Sequence, residues 1–319
     1  MRRLHILVAV SFLAGCTSTI DIQAHRGGRG LMPENTLAAF ENAMRIGVTT
    51  LELDTGITED GVVVISHDPT LNPDIVRGPD GKWLDKKGPA LVSLTYAQLQ
   101  QYDIGRLNPD SSYGKRYPQQ QAVDGERFPR LIDLFAFVKR SGNQRIRFNI
   151  ETKLSPFERL ETVGPEAFVD ALLAVIRAAN MTGRVTLQSF DWRTLKIVQQ
   201  KAPSIPTVYL SAQQKFLDNI GAGNREGSAW TAGLNAQDFD GSVALMVKAA
   251  GGTIWSPYFG DVDEIKIKDA QARGLRVVVW TVNEPKDIGR MLDNGVDGII
   301  SDYPNRLREA MAKRGLRLP

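Results

Sequence analysis

Eight short strand-like runs alternate with helix-like segments along this chain of 319 residues. Each run contains four to six residues, and apolar residues at helical spacing return in the stretches between the runs. Regular alternation of this kind predicts a parallel α/β fold, and eight repeats predict a closed TIM (β/α)8 barrel. The predicted strands are residues 20–24, 50–54, 147–151, 185–188, 207–210, 253–256, 276–281 and 298–301.

The helix-like segments carry recognisable boundary residues. The first has apolar residues at helical spacing between positions 37 and 44, and Gly47 is placed to end it. Near the end of the chain, Asp302 has the side chain and the position of a helix N-cap, with Pro304 in the first turn. We therefore expect helices between the strands and a last helix after Asp302.

The first 15 residues have the pattern of a secretory signal peptide. Arg2 and Arg3 supply its positive charge. Residues 6–14 form an apolar run that is shorter than the roughly 20 residues needed to span a bilayer. A cleaved leader is therefore favoured over a transmembrane helix.

The leader ends in Leu13-Ala14-Gly15-Cys16, which resembles the lipobox of bacterial lipoproteins. Cys16 is the only cysteine of the chain. The resemblance implies that Cys16 is lipidated and anchors the mature protein to a membrane of the bacterial cell envelope, on its periplasmic face. Thr17 directly after Cys16 favours the outer membrane.

The charge of the chain after this cleavage is close to neutral. Loss of Arg2 and Arg3 leaves 37 basic and 36 acidic residues, a net charge of +1. A charge this small argues against nucleic-acid binding and against electrostatic attachment to anionic lipids. No nucleic-acid partner is expected.

One long segment, residues 69–128, breaks the alternation. It contains six prolines and six glycines, with one helix-like stretch at 94–102. A connection of this length inside a compact domain usually means either that an element has been assigned wrongly or that the segment is functional. Without its 60 residues and the 15 of the leader, 244 residues remain, close to the usual barrel length of about 250. We therefore expect residues 16–319 to form a single barrel domain, with 69–128 as an insertion or cap on the catalytic face after the second strand.

Two predicted strands end in polar residues at i, i+2 spacing, which places both members of each pair on one face of the strand. Glu52 and Asp54 share the inner face of one strand, and Glu151 and Lys153 share that of another. So much buried charge needs compensation. A hard divalent cation, Mg²⁺ or Ca²⁺, held by the three carboxylates would supply it. The alternative is a structural salt-bridge network around Lys153.

His25 and His67 are the two histidines that remain after the leader is removed, and each stands just after a strand-like run. Imidazole titrates near neutral pH, so a pair of histidines can remove a proton from a nucleophile and donate one to a leaving oxygen. Arg26 beside His25 offers a planar fork for phosphate oxygens. The alternative is that each histidine is structural.

Seven short motifs resemble, in the same order, those of the glycerophosphodiester phosphodiesterase family. They are His25-Arg26-Gly27, Pro33-Glu34-Asn35-Thr36, Glu52-Leu53-Asp54, His67-Asp68, Glu151-Thr152-Lys153, Gln188-Ser189-Phe190 and Trp280-Thr281-Val282-Asn283. The resemblance covers nearly the whole mature chain. The insertion after His67-Asp68 also resembles that family, and its length is nearer to the exported members.

The resemblance implies a metal-dependent enzyme that cleaves glycerophosphodiesters, such as deacylated phospholipid head groups, to glycerol 3-phosphate and an alcohol. The residues implied to hold the Mg²⁺ or Ca²⁺ ion are Glu52, Asp54 and Glu151. Those implied as proton-transfer groups are His25 and His67. Those implied to hold the phosphoryl oxygens are Arg26 and Lys153.

Four further residues of the motifs have open roles. Glu34 either caps the first helix or reaches the site as a supporting or glycerol contact. Gln188, Phe190 and Trp280 form part of the substrate wall or are ordinary barrel core.

Two rival functions are compatible with the fold. A phosphatidylinositol-type phospholipase C also uses two histidines on a barrel, but three inward carboxylates argue against a metal-free enzyme. A surface lipoprotein that binds a ligand without turnover is the second rival, and the intact metal and histidine sets argue against it. The attacking group, water or the glycerol 2-hydroxyl through a cyclic phosphate, stays open.

Overall fold

Alternating runs of the sequence form parallel strands that close into a barrel, as predicted. The computed structural model describes residues 20–224 and 226–319, so the predicted leader and Cys16 lie outside the described residues. The strands are β1 (Asp21–Ala24), β2 (Thr50–Ile57), β3 (Val63–Ile65), β4 (Arg147–Thr152), β5 (Val185–Ser189), β6 (Thr207–Ser211), β7 (Gln213–Gln214), β8 (Leu217–Asp218), β9 (Ile254–Pro257), β10 (Arg276–Val279) and β11 (Gly298–Ser301). Eight of them pair in parallel in the order β1, β2, β4, β5, β6, β9, β10, β11, and β11 pairs with β1 to close the barrel.

Helices connect the strands on the outside of the barrel. They are α1 (Leu37–Ile46), α2 (Tyr96–Leu99), α3 (Leu131–Arg140), α4 (Pro165–Ala178), α5 (Trp192–Lys201), α6 (Val243–Ala249), α7 (Glu264–Ala272), α8 (Pro285–Asp293) and α9 (Pro304–Lys313). Gly47 ends α1 with a left-handed φ of 85°, as its position predicted. Across 20–224 and 226–319, no helix combines the length and the apolar character needed to cross a bilayer.

Two strands differ in length from the sequence prediction by more than one residue. β2 continues to Ile57 because its last residues pair with the antiparallel strand β3. β10 ends at Val279, two residues before the predicted end, because Trp280 keeps only a single bridge to Tyr258. The side chain of Trp280 donates from Nε1 to the backbone oxygen of Ser256 at 2.9 Å.

The insertion has an apolar cluster of its own. Leu71, Val76, Leu91 and Leu99 are almost fully buried in it. The same cluster includes Val64 of β3 and Tyr303, and this shared packing joins the insertion to the barrel. The predicted helix at 94–102 is confirmed but shortened to α2.

The interior of the barrel is apolar on the side of β6, β9, β10 and β11 and polar on the side of β1, β2, β4 and β5. Val208, Ile254, Val278 and Ile300 form a small inner cluster with Trp280. Leucines at alternate positions of β2 pack outward against the helices, which leaves the carboxylates between them inside the barrel. Parallel strands therefore present their polar residues at the carboxyl ends, where TIM barrels carry their sites.

Candidate active site

A cavity of about 470 Å³ opens where the barrel strands end. The predicted site residues that line it are His25, Arg26, Glu52, His67, Glu151, Lys153, Gln188, Phe190 and Trp280. The two others, Asp54 and Glu34, are buried in contact with lining residues. The fold thus brings together residues that are spread over most of the sequence.

Strand register brings the acidic trio of Glu52, Asp54 and Glu151 together. Asp54 lies directly opposite Glu151 in the pairing of β2 with β4. One ligand oxygen of each carboxylate lies within 4.8 Å of the other two. Asp54 Oδ1 is buried and has no hydrogen-bond partner within the described ranges. Three carboxylates at this spacing, one of which has an oxygen without a hydrogen bond, could hold a hard divalent cation.

Charge in the acidic trio is unbalanced. Burial raises the pKa of Glu52 well above its ordinary value. Burial also raises the pKa of Glu151 to about 7, although Lys153 opposes that shift. Burial favours neutral Asp54 as well, but His67 and other basic neighbours outweigh it and lower the pKa of Asp54. A divalent cation would stabilise all three carboxylates in their ionised form.

Lys153 makes the salt bridges that the alternative interpretation predicted. Its Nζ lies 2.9 Å from Glu151 Oε1 and 3.9 Å from Asp54 Oδ1. Lys153 and the guanidinium of Arg26, whose Nε lies 3.3 Å from Asp54 Oδ2, supply two positive charges against three carboxylates. Within the described residues, Glu52 accepts hydrogen bonds from neutral groups, the Arg26 backbone N–H and the Gln188 amide. The salt bridge is therefore compatible with a cation site and does not replace it.

Arg26 lies in a left-handed turn, with a φ of 51°, and links the trio to Glu34. Its backbone N–H donates to Glu52 Oε2 at 2.8 Å, and its Nη1 donates to Glu34 Oε1 at 2.7 Å. The N-cap of α1 is Thr36, whose Oγ1 accepts from a backbone N–H of the first turn. The capping interpretation of Glu34 is therefore wrong, and its carboxylate instead holds the guanidinium of Arg26.

His25 is oriented by a buried carboxylate. Its Nδ1 lies 2.6 Å from Asp302 Oδ1. Burial favours neutral Asp302, but Arg29 and His25 outweigh it and keep the pKa of this carboxyl below its ordinary value. Because an ionised carboxylate only accepts, Nδ1 carries the hydrogen and Nε2 keeps a free lone pair. Burial, with the charge of Arg29, lowers the pKa of His25 to about 4, so the ring is neutral near pH 7.

Asp302 is not the helix cap that the sequence predicted. The N-cap position of α9 is Tyr303. The carboxylate of Asp302 instead accepts from Arg29 Nε and from Asn283 Nδ2, both at 2.7 Å. Sequence reasoning missed the roles of Asp302 and Arg29. The available signal was the position of Asp302 directly after the last strand, the same rule that identified the acidic trio.

His67 follows β3 and lines the same cavity. Its Nδ1 lies 2.9 Å from Asp68 Oδ1, and Asp68 Oδ2 accepts from Asn72 Nδ2 at 2.7 Å. Burial and the charge of Arg26 lower the pKa of His67 well below its ordinary value. An anionic phosphodiester beside the ring would act in the opposite direction, because negative charge favours imidazolium.

The predicted substrate wall divides into two kinds of residue. Phe190 and Trp280 are half-buried rings that line the cavity with their centroids 5.2 Å apart. Gln188 differs, because its amide accepts from Asn149 at 2.8 Å and donates to Glu52 Oε1 at 2.6 Å. We therefore assign Gln188 to orienting a carboxylate of the acidic trio.

The insertion contacts the site through Tyr113. Its hydroxyl donates to Glu34 and accepts from Arg29 Nη1 at 2.9 Å. Pro69, the first residue of the insertion, lines the cavity itself. The segment therefore touches the residues that hold Arg26 and Asp302 in place.

The sequence that contains these residues matches one protein family. The sequence profile of the Glycerophosphoryl diester phosphodiesterase family matches residues 25–306. A glycerophosphodiester phosphodiesterase of Caldanaerobacter subterraneus is 28% identical over 292 residues, which cover 92% of this chain and 98% of the relative. A glycerophosphodiester phosphodiesterase of Bacillus altitudinis is 27% identical over 293 residues, which cover 91% of this chain and 98% of the relative.

Solved structures agree with this assignment. The crystal structure of a Silicibacter pomeroyi protein of the same named family matches with a TM-score of 0.85 and 35% identity, covering 96% of this chain and 97% of that chain. An Oleispira antarctica phosphodiesterase, solved with its product sn-glycerol-3-phosphate, matches in fold with a TM-score of 0.66 and 23% identity, covering 92% of this chain and 97% of that chain. From His25 to Asp302 the site falls inside the matched region, and the chain belongs to the glycerophosphoryl diester phosphodiesterase family.

Proposed function

We propose that this protein is a metal-dependent phosphodiesterase that hydrolyses glycerophosphodiesters to glycerol 3-phosphate and an alcohol. The observation that carries the proposal is the convergence of the acidic trio and two histidines on one cavity. The product bound to the Oleispira antarctica relative supports glycerol 3-phosphate as the product here.

The basic residues of the cavity would bind the phosphodiester. Arg26 and Lys153 line it and would hold the phosphoryl oxygens, while their carboxylate partners keep both side chains in place. A Mg²⁺ or Ca²⁺ ion held by the acidic trio would polarise a phosphoryl oxygen and offset the charge that develops on it.

The two histidines would transfer protons. His25, neutral and with Nε2 free, would take the proton of the attacking oxygen, which belongs to water or to the glycerol 2-hydroxyl. His67 would donate a proton to the departing alcohol oxygen as the phosphorus–oxygen bond breaks. Substrate binding prepares this step, because the anionic diester raises the pKa of a neighbouring imidazole.

Replacement of Asp302 tests the orientation of His25. Asp302→Asn should reduce kcat by about 10- to 1,000-fold with little change in KM, because an amide can donate to Nδ1 and favour the wrong tautomer. The measurement is steady-state kinetics with glycerophosphocholine. Asp191→Asn is the matched control, because Asp191 is equally buried and bonds Arg193 outside the cavity lining. Equal losses in both variants would mean that the effect is a general loss of structure.

Product analysis separates the proposal from its rivals. The holoenzyme should release glycerol 3-phosphate and choline from glycerophosphocholine and should lose this activity in chelator. A phospholipase C of the phosphatidylinositol type would keep its activity in chelator and would cleave phosphatidylinositol. A binding lipoprotein would bind glycerophosphocholine without releasing either product.

We also propose that Cys16 carries a lipid and holds the enzyme at the cell envelope, with the outer membrane favoured. The lipobox resemblance of residues 13–16 supports this proposal. Cys16→Ser should release the protein from membranes or leave the precursor uncleaved, with unchanged specific activity after purification. Fractionation of cells that express each form is the measurement. Processed Cys16→Ser protein that still sediments with membranes would contradict the anchor.

A further inference from the structure

A chain of side-chain hydrogen bonds runs through the inside of the barrel and ends at the acidic trio. It contains three amides, those of Gln23, Asn149 and Gln188, and one carboxylate at each end, Asp21 and Glu52. Asp21 is the first residue of β1, so it lies at the end of the barrel opposite the cavity. These five residues, the amide chain, connect one face of the barrel to the other.

Every link of the amide chain is buried. Gln23 Nε2 donates to Asp21 Oδ2 at 3.1 Å, and Asn149 Nδ2 donates to Gln23 Oε1 at 2.9 Å. The same Asn149 Nδ2 donates to Gln188 Oε1 at 2.8 Å, and Gln188 Nε2 donates to Glu52 Oε1 at 2.6 Å. None of the five residues is more than 5% exposed. A donor removed from this chain therefore leaves an acceptor that bulk water does not reach.

The carboxylates at the two ends fix the direction of the donors between them. A carboxylate accepts hydrogen bonds, so each glutamine turns its amino group to its carboxylate and its oxygen to Asn149. Asn149 Nδ2 carries two hydrogens and donates to both glutamine oxygens. No amide of the chain can turn over without placing two acceptors, or two donors, against each other.

The orientation of Asn149 is set from the far end of the amide chain. Asn149 Oδ1 accepts from Thr186 Oγ1 at 2.9 Å, but a hydroxyl can donate or accept and so does not select an orientation. Gln23 does select one, because its oxygen faces Asn149 and Asp21 holds its amino group. Asp21 Oδ1 in turn lies 3.2 Å from Arg147 Nη2. The contacts that decide how Asn149 faces the acidic trio therefore begin on the opposite face of the barrel.

We propose that Asn149 is a positioning residue for the ion site, held in its orientation from the far end of the amide chain. It acts through Gln188, whose oxygen it occupies, so that the Gln188 amide presents an N–H to Glu52. The Arg26 backbone N–H holds the other oxygen of Glu52, which fixes the plane of the carboxylate and leaves each oxygen a lone pair for the ion.

This inference rests on the ion dependence of the proposed function. It extends that dependence to Asn149, which is fully buried and is not among the described residues that line the cavity. The partners of a metal ligand commonly matter for affinity because they hold the ligand in the orientation that the ion needs.

Ion binding by ion-stripped protein tests the inference. Mg²⁺ and Ca²⁺ are titrated separately by calorimetry below the melting temperature, and variants are compared for the ion that the wild type binds more tightly. Asn149→Ala removes both donated hydrogens without adding volume. The dissociation constant should rise by about 10-fold or more, because the Gln188 amide can then turn its oxygen toward Glu52. An unchanged constant would overturn the inference.

Asn219→Ala is the matched control. Asn219 is also fully buried, and its Nδ2 donates to the backbone oxygen of Leu210 at 3.1 Å, outside the amide chain. Both variants should lower the melting temperature, but only Asn149→Ala should weaken ion binding. Equal weakening in both would mean a general loss of structure and would overturn the inference.

A second replacement separates action through Gln188 from a direct effect. Gln188→Met keeps the length of the side chain and removes the amide, and it should raise the dissociation constant by about 10- to 100-fold. Adding Asn149→Ala to Gln188→Met should raise it little further, because the amide through which Asn149 acts is gone. Losses that simply multiply would show that Asn149 acts independently of Gln188, and would overturn the inference.

Asp21→Asn tests the far end of the chain at unchanged volume, and it decides the question if Asn149→Ala does not fold. Asp21 Oδ1 faces donors, the hydroxyl of Thr50 at 2.7 Å and Arg147, so the introduced amide should keep its oxygen there and turn its nitrogen to Gln23. Gln23 then has to turn its own oxygen away from Asn149. We expect ion binding to weaken by about 3- to 10-fold. Unchanged ion binding in this variant would overturn the inference.

The wild-type titration distinguishes the inference from the function on which it rests. A wild-type protein that binds neither ion would overturn the ion dependence of the proposed function, and this inference with it. Wild-type binding that no replacement in the amide chain weakens would overturn only the inference.

Discussion

Removal of the divalent ion should abolish glycerophosphodiester hydrolysis and should lower the melting temperature more at pH 8 than at pH 5. Burial raises the pKa of Glu151 from 4.5 to about 7 and raises that of Glu52 well above its ordinary value. A raised carboxyl pKa adds stability below pH 4.5 that is lost as the pH rises through about 7. The free energy of unfolding of the ion-free protein therefore falls across this pH window. A bound ion adds the most stability at pH 8, where the carboxylates are ionised.

Glu151→Gln separates the catalytic part of this effect from the electrostatic part. The neutral amide should lower kcat by about 10²- to 10⁴-fold, because a ligand charge at the ion is lost. The same change should make the ion-free protein more stable than the wild type at pH 8, because one repulsive carboxylate is gone. Thermal melts with and without chelator measure the change in stability. Glu309→Gln on the exposed face of α9 is the control, and equal behaviour of the two variants would contradict the assignment.

Alanine replacements of the two histidines should give different patterns of activity loss on two substrates. An alkoxide such as that of choline needs a proton to depart, whereas a nitrophenolate departs without one. His67→Ala should therefore lose about 10²- to 10⁴-fold in kcat on glycerophosphocholine and far less on a glycerophospho-nitrophenyl ester. His25→Ala should lose activity on both, because the attacking oxygen needs its base whichever group departs.

The reversed pattern would exchange the two roles. Equal losses for both variants on both substrates would contradict acid–base catalysis by these residues, and would leave them as groups that position the phosphate. In each histidine Nδ1 contacts a carboxylate, which leaves Nε2 as the nitrogen that can exchange a proton with the substrate.

The fold and the acidic trio could be predicted because their signals are local. A period of two along β2 puts Glu52 and Asp54 on the same face whatever the rest of the chain does. Strand ends were visible in the sequence to within one residue, except where an added strand lengthened β2 and where a single bridge replaced the ladder after β10. Eight such runs leave a barrel as the simplest closed arrangement.

The carboxylates that orient the site could not be assigned in the same way. Asp302 stands two residues before Pro304, so its local pattern is that of a helix start, while its partner His25 is 277 residues away. Glu34 follows Pro33 and stands shortly before α1, which is also the pattern of a helix start, yet its carboxylate contacts Tyr113 of the insertion, 79 residues later. Local patterns predict what a residue does in its own segment and carry no information about a partner that only the closed barrel brings near.

A titration of ion-stripped protein tests the central claim most directly. Mg²⁺ or Ca²⁺ is added in steps, and both the bound ion per chain and the release of glycerol 3-phosphate from glycerophosphocholine are measured at each step. We expect activity to be absent at the start and to rise in proportion to binding, until one ion per chain occupies the acidic trio. Full activity before any ion is bound, or binding that leaves activity at zero, would contradict it.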